Sequence, residues 1–258
     1  MQRRSFLPAL AAAPFLVRGG RAAARRPNVV MFMTDDHGAW AMGAYGCRDL
    51  RTPNLDKLAE GGARFTRAFA CTPVCSPSRM SWLTGRLPSV HGVQDWLRPV
   101  DSFGERSRFW LRGHPTYSEV LAANGYRLGM TGKWHMGHDD TPQAGFSFWA
   151  TIPGGGGPYR DAEFVRNGER LRPGGFKTDR TADFAIEFLE KQKPGTPFYL
   201  LVPFNAPHTP FDFQPEEDRR PYAEASFAAF PTSSRIPGRT AACASTTETP
   251  RAGEATRR

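Results

Sequence analysis

Two unbroken apolar runs constrain this chain more than any other feature: Val29-Val30-Met31-Phe32-Met33 near the start, and Phe198-Tyr199-Leu200-Leu201-Val202 far along it. A strand with one wet face alternates polar and apolar residues, whereas a strand covered on both faces does not. Each run therefore predicts a buried strand in a sheet that carries helices on both sides. Helical signals lie between them. Thr52-Pro53 supplies an N-cap and a first-turn proline for a helix through Ala59, stopped by Gly61-Gly62. Thr116-Tyr117-Ser118-Glu119 is a capping box opening a helix that closes at Asn124-Gly125. Tyr126 to Met130 reads as a short strand, and Thr178 to Gln192 sets Ala182, Ala185, Ile186 and Leu189 on one helical face. Strands alternating with helices predict an α/β fold with a largely parallel central sheet flanked by helices.

The two ends follow other rules. The net charge of +9 suggests an acidic partner, but its placement argues otherwise. Residues 1–26 contain six arginines and no acid, and residues 232–258 contain five arginines against two glutamates, leaving the rest of the chain neutral. A nucleic-acid-binding domain gathers its charge on a folded surface, so that class is excluded. Arg3-Arg4-Ser5-Phe6-Leu7, the apolar run to Val17 and then Ala22-Ala23-Ala24 form the three successive parts of an export signal over residues 1–24. Its paired arginines suggest a bacterial twin-arginine address and export machinery as a partner, which implies a periplasmic or extracellular product. Its apolar run is too short to span a bilayer, and no stable membrane insertion is expected. Residues 25–231 carry the α/β pattern. From residue 232 the chain is mostly Thr, Ser, Ala, Arg, Gly and Pro, a composition that cannot recover its ordering entropy by burial, and a disordered tail is expected.

Ligands of open α/β sheets bind beyond the carboxyl ends of the strands. The strand readings here run into Asp35-Asp36-His37-Gly38, Lys133-Trp134-His135 and Asn205-Ala206-Pro207-His208. Singly, each is as compatible with a surface turn, a solvated lysine or a structural histidine. Together they suggest a site with paired carboxylates suited to a hard cation such as calcium. Cys75 adds a nucleophile, because Pro77 belongs in the first turn of a helix and a group at that end faces free N–H donors. A reactive thiolate is one reading of Cys75.

Cys75-Ser76-Pro77-Ser78-Arg79 with Leu83-Thr84-Gly85-Arg86 resembles the signature of the formylglycine-dependent (type I) sulfatases. Four more stretches extend the resemblance in family order: Pro27-Asn28-Val29 to Gly38, Thr52-Pro53-Asn54-Leu55-Asp56, Gly132-Lys133-Trp134-His135-Met136-Gly137 and Ala206-Pro207-His208-Thr209-Pro210. The resemblance implies an alkaline phosphatase-like fold and a sulfuric ester hydrolase acting on a sulfated small molecule or glycan. It implies that a formylglycine-generating enzyme oxidises Cys75 to formylglycine, whose hydrate is the nucleophile, with Arg79 holding it. It further implies a calcium ion bound by Asp35, Asp36 and residue 75. Lys133 and His208 are then placed on the sulfate and His135 on the second hydroxyl of the hydrate. The further Asp-Asn pair and lysine that the family places beyond His208 have no counterpart in this sequence. Residues 25–231 are therefore expected to be the amino-terminal portion of the catalytic domain, truncated or frameshifted after about residue 231 and lacking the small carboxy-terminal subdomain. Little or no aryl sulfate turnover is expected of such a product. Two alternatives stay open, a phosphonate or phosphate ester hydrolase of the same superfamily and an inactive fragment.

Overall fold

The computed structural model describes residues 26–211, 213–225 and 227. The export signal and the low-complexity tail lie outside the described residues. A six-stranded sheet is formed by β1 (Val29–Met33), β2 (Arg127–Gly132), β3 (Phe146–Thr151), β4 (Phe164–Arg166), β5 (Glu169–Leu171) and β6 (Phe198–Pro203), in the order β1-β6-β2-β3-β4-β5. The first four in that order run parallel, and β4 and β5 close one side as antiparallel strands. The helices are α1 (Pro53–Glu60), α2 (Cys75–Thr84), α3 (Pro88–His91), α4 (Pro99–Ser102), α5 (Tyr117–Ala123), α6 (Lys177–Glu190) and α7 (Glu216–Arg219).

Alternate residues of β6 point to opposite faces, as strand geometry requires. Tyr199 and Leu201 join Met80, Leu83, Leu128, Met130, Trp134 and Trp149 on the face covered by α2. Leu200 and Val202 join Phe148, Phe164, Phe184 and Phe188 on the face covered by α6. Close packing of α6 needs a glycine beneath it, since a Cβ on Gly129 of β2 would lie 2.6 Å from the Phe188 ring. The capping box forms as expected: the Glu119 N–H donates to Thr116 Oγ1 and the Thr116 N–H donates to Glu119 Oε2.

Two expectations change. β6 is buried throughout its interior, but among the described residues β1 is an edge strand, with Val30 41% and Phe32 59% exposed. An apolar run reports what a strand can tolerate around it, whereas position in the sheet is set by pairing. In α6 the buried stripe is Lys177, Thr181, Phe184, Ala185 and Phe188, while Ile186 and Leu189 face outward. The two phenylalanines carry more apolar area than Ala182 and Ile186, and burying them sets the rotation of the helix.

Candidate active site

Parallel neighbours end together, so β1, β6 and β2 deliver their exit loops to one edge of the sheet. Backbone bonds tie these exits to one another. The Phe204 N–H donates to the Met33 carbonyl (2.8 Å), the Asp35 N–H to that of Ala206 (3.1 Å) and the Lys133 N–H to that of Pro203 (2.7 Å). Asp35, Lys133 and Asn205 are all buried there. Asp36 and His135 adopt φ of +62° and +58°, a left-handed conformation that side chains other than glycine rarely take.

Cys75 is the first residue of α2 and a free, half-buried thiol. It lines a cleft of about 370 Å3 with Asp35, Asp36, His37, Ser78 and Arg79. One turn along α2, buried Arg79 donates from Nη1 to the Lys133 carbonyl (2.6 Å) and places Nη2 3.5 Å from Asp35 Oδ2. Lys133 Nζ lies 2.5 Å from the same oxygen. One carboxylate thus serves two buried cations. Burial pushes the Arg79 pKa down and Asp35 opposes the shift, and its guanidinium stays charged at any working pH. His208 stands at the outer side, with Nδ1 against the Thr209 carbonyl (2.7 Å) and Nε2 3.7 Å from Asp36 Oδ2.

His135 lies deeper. Its Nε2 is 2.8 Å from the Leu97 carbonyl, so that nitrogen carries the proton, and the buried Nδ1 has no protein partner. Burial, with Lys133 nearby, lowers its pKa to about 3, and the ring is neutral near pH 7. The glycine loop 154–157 packs against this ring: Gly155 has φ +69°, and a Cβ there would run into the imidazole. The Gly154 N–H donates to Asp139 Oδ2 (3.0 Å), and burial pushes this carboxyl up to about 8, so that Asp139 is held as the neutral acid.

The structure therefore gathers Asp35, Asp36, Cys75, Arg79, Lys133 and His208 around one cleft edge and sets His135 behind it. The glycine loop, which from sequence could equally have been surface, lies against His135, whereas Trp96 stays half exposed and outside the cleft. Asp139 escaped the sequence reading, because an aspartate in His138-Asp139-Asp140 reads as solvated and nothing local marks it as buried.

Donor chemistry decides whether the cluster suits a cation. Asp36 keeps its carboxylate in solvent, but Asp35 is already engaged by Lys133 and Arg79. Among the described residues, no group of three His, Cys, Asp or Glu side chains is placed to hold a metal ion. These residues alone do not fit a closed calcium shell, which takes six or more oxygens. The Cys75 thiol, by contrast, is free and opens onto the cleft.

Known proteins resemble this chain in sequence and fold. The family profile described as Sulfatase matches residues 27–241. An N-acetylglucosamine-6-O-sulfatase of Bacteroides thetaiotaomicron is 34% identical over 186 residues, covering 71% of this chain and 31% of that protein. Arylsulfatase A of Homo sapiens is 42% identical over 159 residues, covering 58% of this chain and 28% of that protein. A solved structure described as a complex with its substrate D-glucosamine-2-N,6-O-disulfate superposes with a TM-score of 0.61 at 34% identity, covering 71% of this chain and 35% of that one. The chain spans about a third of the length of these proteins.

Proposed function

The chain belongs to the sulfatase family, with an alkaline phosphatase-like architecture, and from that premise we propose that its cleft performs sulfuric ester hydrolysis. The observation that supports this most directly is Cys75 at the head of α2, in one cleft with Arg79 and Asp35, while Lys133 reaches Asp35 from the next strand exit. Oxidised to formylglycine, residue 75 supplies a hydrated aldehyde with one hydroxyl for attack on sulfur and a second for release of sulfate. Arg79 and Lys133 hold positive charge beside the oxygens that gain negative charge in the transition state, and both are fixed before substrate arrives. Asp35 orients these two cations and offsets their desolvation. In this reading His208, on the open side, donates a proton to the departing alcohol oxygen. His135, neutral and with Nδ1 unprotonated, accepts a hydrogen bond from the second hydroxyl of the hydrate, while its burial keeps it a weak base.

In this reading Asp35, Asp36 and residue 75 would supply part of the ligand set of a calcium ion, Asp35 only by sharing its carboxylate with Lys133 and Arg79, and the ion would add positive charge at the sulfate. No step is routed through it, because the described donors do not close its shell. The B. thetaiotaomicron relative and the complex above point to a sulfated amino sugar or glycan as substrate. Export through a twin-arginine route remains part of the proposal. No helix among the described residues is long and apolar enough to cross a membrane.

The test is expression of this chain together with a formylglycine-generating enzyme. Mass spectrometry of the tryptic peptide carrying residue 75 should show the aldehyde or its hydrate. Sulfate release from 6-O-sulfated glucosamine, little or none from this chain alone, should appear when the chain is joined to the remaining length of a sulfatase relative, and should fall below detection again with Cys75→Ala or Lys133→Ala. An unmodified thiol in a host that matures other sulfatases, or equal turnover of a phosphate ester, would sink the reading.

A further inference from the structure

Lys177 is the first residue of α6 and only 1% exposed, and among the described residues no carboxylate forms an ion pair with it. Its Nζ donates to the Gly157 carbonyl (2.8 Å) and lies 3.3 Å from that of Gly156. The same ammonium sits 4.4 Å from the centroid of the Tyr159 ring, and the Lys177 N–H donates to the Tyr159 carbonyl (2.7 Å). A cation buried in this way is costly unless its bonds are good, so the side chain is held for the three partners it meets.

Those partners lead to two different parts of the cleft. Gly156 and Gly157 belong to the loop whose Gly155 packs on His135 and whose Gly154 is held from the other end by Asp139. Tyr159 is fully buried, and its hydroxyl donates to the His208 carbonyl (2.6 Å), with the Asn205 carbonyl at 3.3 Å and Asn205 Nδ2 at 3.2 Å. Lys177 therefore stands where the support of His135 meets the support of His208.

We infer that Lys177 is a positioning residue that couples the glycine loop beneath His135 to the turn carrying His208 through Tyr159. It touches neither histidine and is too buried to touch substrate. Burial, with Lys133 nearby, lowers the Lys177 pKa to about 8, which agrees with a cation held by carbonyls and a ring rather than by a counter-ion. The inference rests on the sulfatase reading only in giving the two histidines work to do.

Amide hydrogen exchange on the full chain tests the link without substrate, so absent turnover and an absent link are told apart. Lys177→Met keeps length but removes the charge, and should raise exchange about tenfold or more both in residues 154–159 and in residues 205–209. Amides of Tyr199–Val202 in β6 should keep their protection. Lys177→Arg restores a cation and should hold both segments within about threefold of the parent. Parent-like exchange in either segment of Lys177→Met overturns the coupling, as does a Lys177→Arg variant that loosens as much as Lys177→Met. Tyr159→Phe serves if Lys177→Met fails to fold. It keeps the ring and removes the hydroxyl, and should loosen only 205–209. An unchanged 205–209 segment in that variant also overturns the inference.

Discussion

The inner and outer halves of the cleft are built on opposite terms. On the inner side, Asp35, Arg79, Lys133 and His135 are all at most 6% exposed. Asp35, Arg79 and Lys133 are bound to one another and to strand exits, and His135 is bound to the Leu97 carbonyl. On the outer side, next to the edge strand β1, the Asp36 carboxylate is 66% exposed, the His208 side chain 31% and Phe32 59%. Buried charges interact strongly but must be paired, whereas exposed ones are screened and contribute little. The inner half is thus a preorganised electrostatic floor. The outer half is where a ligand can enter and where side chains keep freedom to move.

The largest contrast should come from the adjacent carboxylates. Asp35→Asn leaves two buried cations without their counter-charge and should destabilise the fold by about 3–5 kcal/mol. Asp36→Asn, which asparagine's tolerance of the left-handed conformation suits, should cost within about 0.5 kcal/mol. Urea denaturation of both variants measures the difference, and equal losses would break the comparison.

A second contrast is in pH. Asp139 ordinarily ionises near 3.8 and here near 8, so between those values the unfolded chain releases a proton that the fold retains. Stability attributable to Asp139 therefore falls as pH rises through that window, by up to about 1.4 kcal/mol per unit. His135 acts with the opposite sign. Its value drops from 6.5 to about 3, so the unfolded chain binds the extra proton and stability rises with pH across that interval. The two slopes oppose each other at acid pH, and above about 6.5 only the Asp139 slope remains. Denaturation midpoints should therefore decline between pH 6.5 and 8 in the parent and stay level in Asp139→Asn. A decline that survives in Asp139→Asn would assign it to another group.

The smallest effect on stability should come from the edge. Phe32→Ser removes a half-exposed ring and should shift the unfolding free energy by no more than about 1 kcal/mol. It should also reduce self-association, because an apolar edge strand is a template for pairing. Light scattering at matched concentrations would show this, and unchanged scattering would mean that β1 is not the adhesive surface.

Much of the site was legible because its residues sit at strand exits within short motifs. The apolar runs placed β1 and β6, the capping box placed α5, and Asp35, Lys133 and His208 each follow a strand that the pattern of residues reveals. The strands β3, β4 and β5 were not legible, since Phe146–Thr151 mixes polar and apolar residues and the next two are three residues long. The buried face of α6 was misplaced by about one position, because periodicity finds an apolar stripe but does not rank alanine and isoleucine against two phenylalanines.

Sequence alone determined the fold class, the place of Cys75 at the head of a helix and the strand exits that carry Asp35, Lys133 and His208, since these depend on local periodicity and on motif order. Tertiary structure decided which carboxylate is buried between two cations and which is exposed, that burial raises the Asp139 pKa, that β1 is an edge strand among the described residues and that Lys177 is buried against the 156–157 carbonyls and the Tyr159 ring. Those properties come from contacts such as Lys133 to Asp35, separated by 98 positions in the chain. Burial and charge pairing depend on what the folded chain brings alongside a residue, and its sequence neighbours carry no record of that.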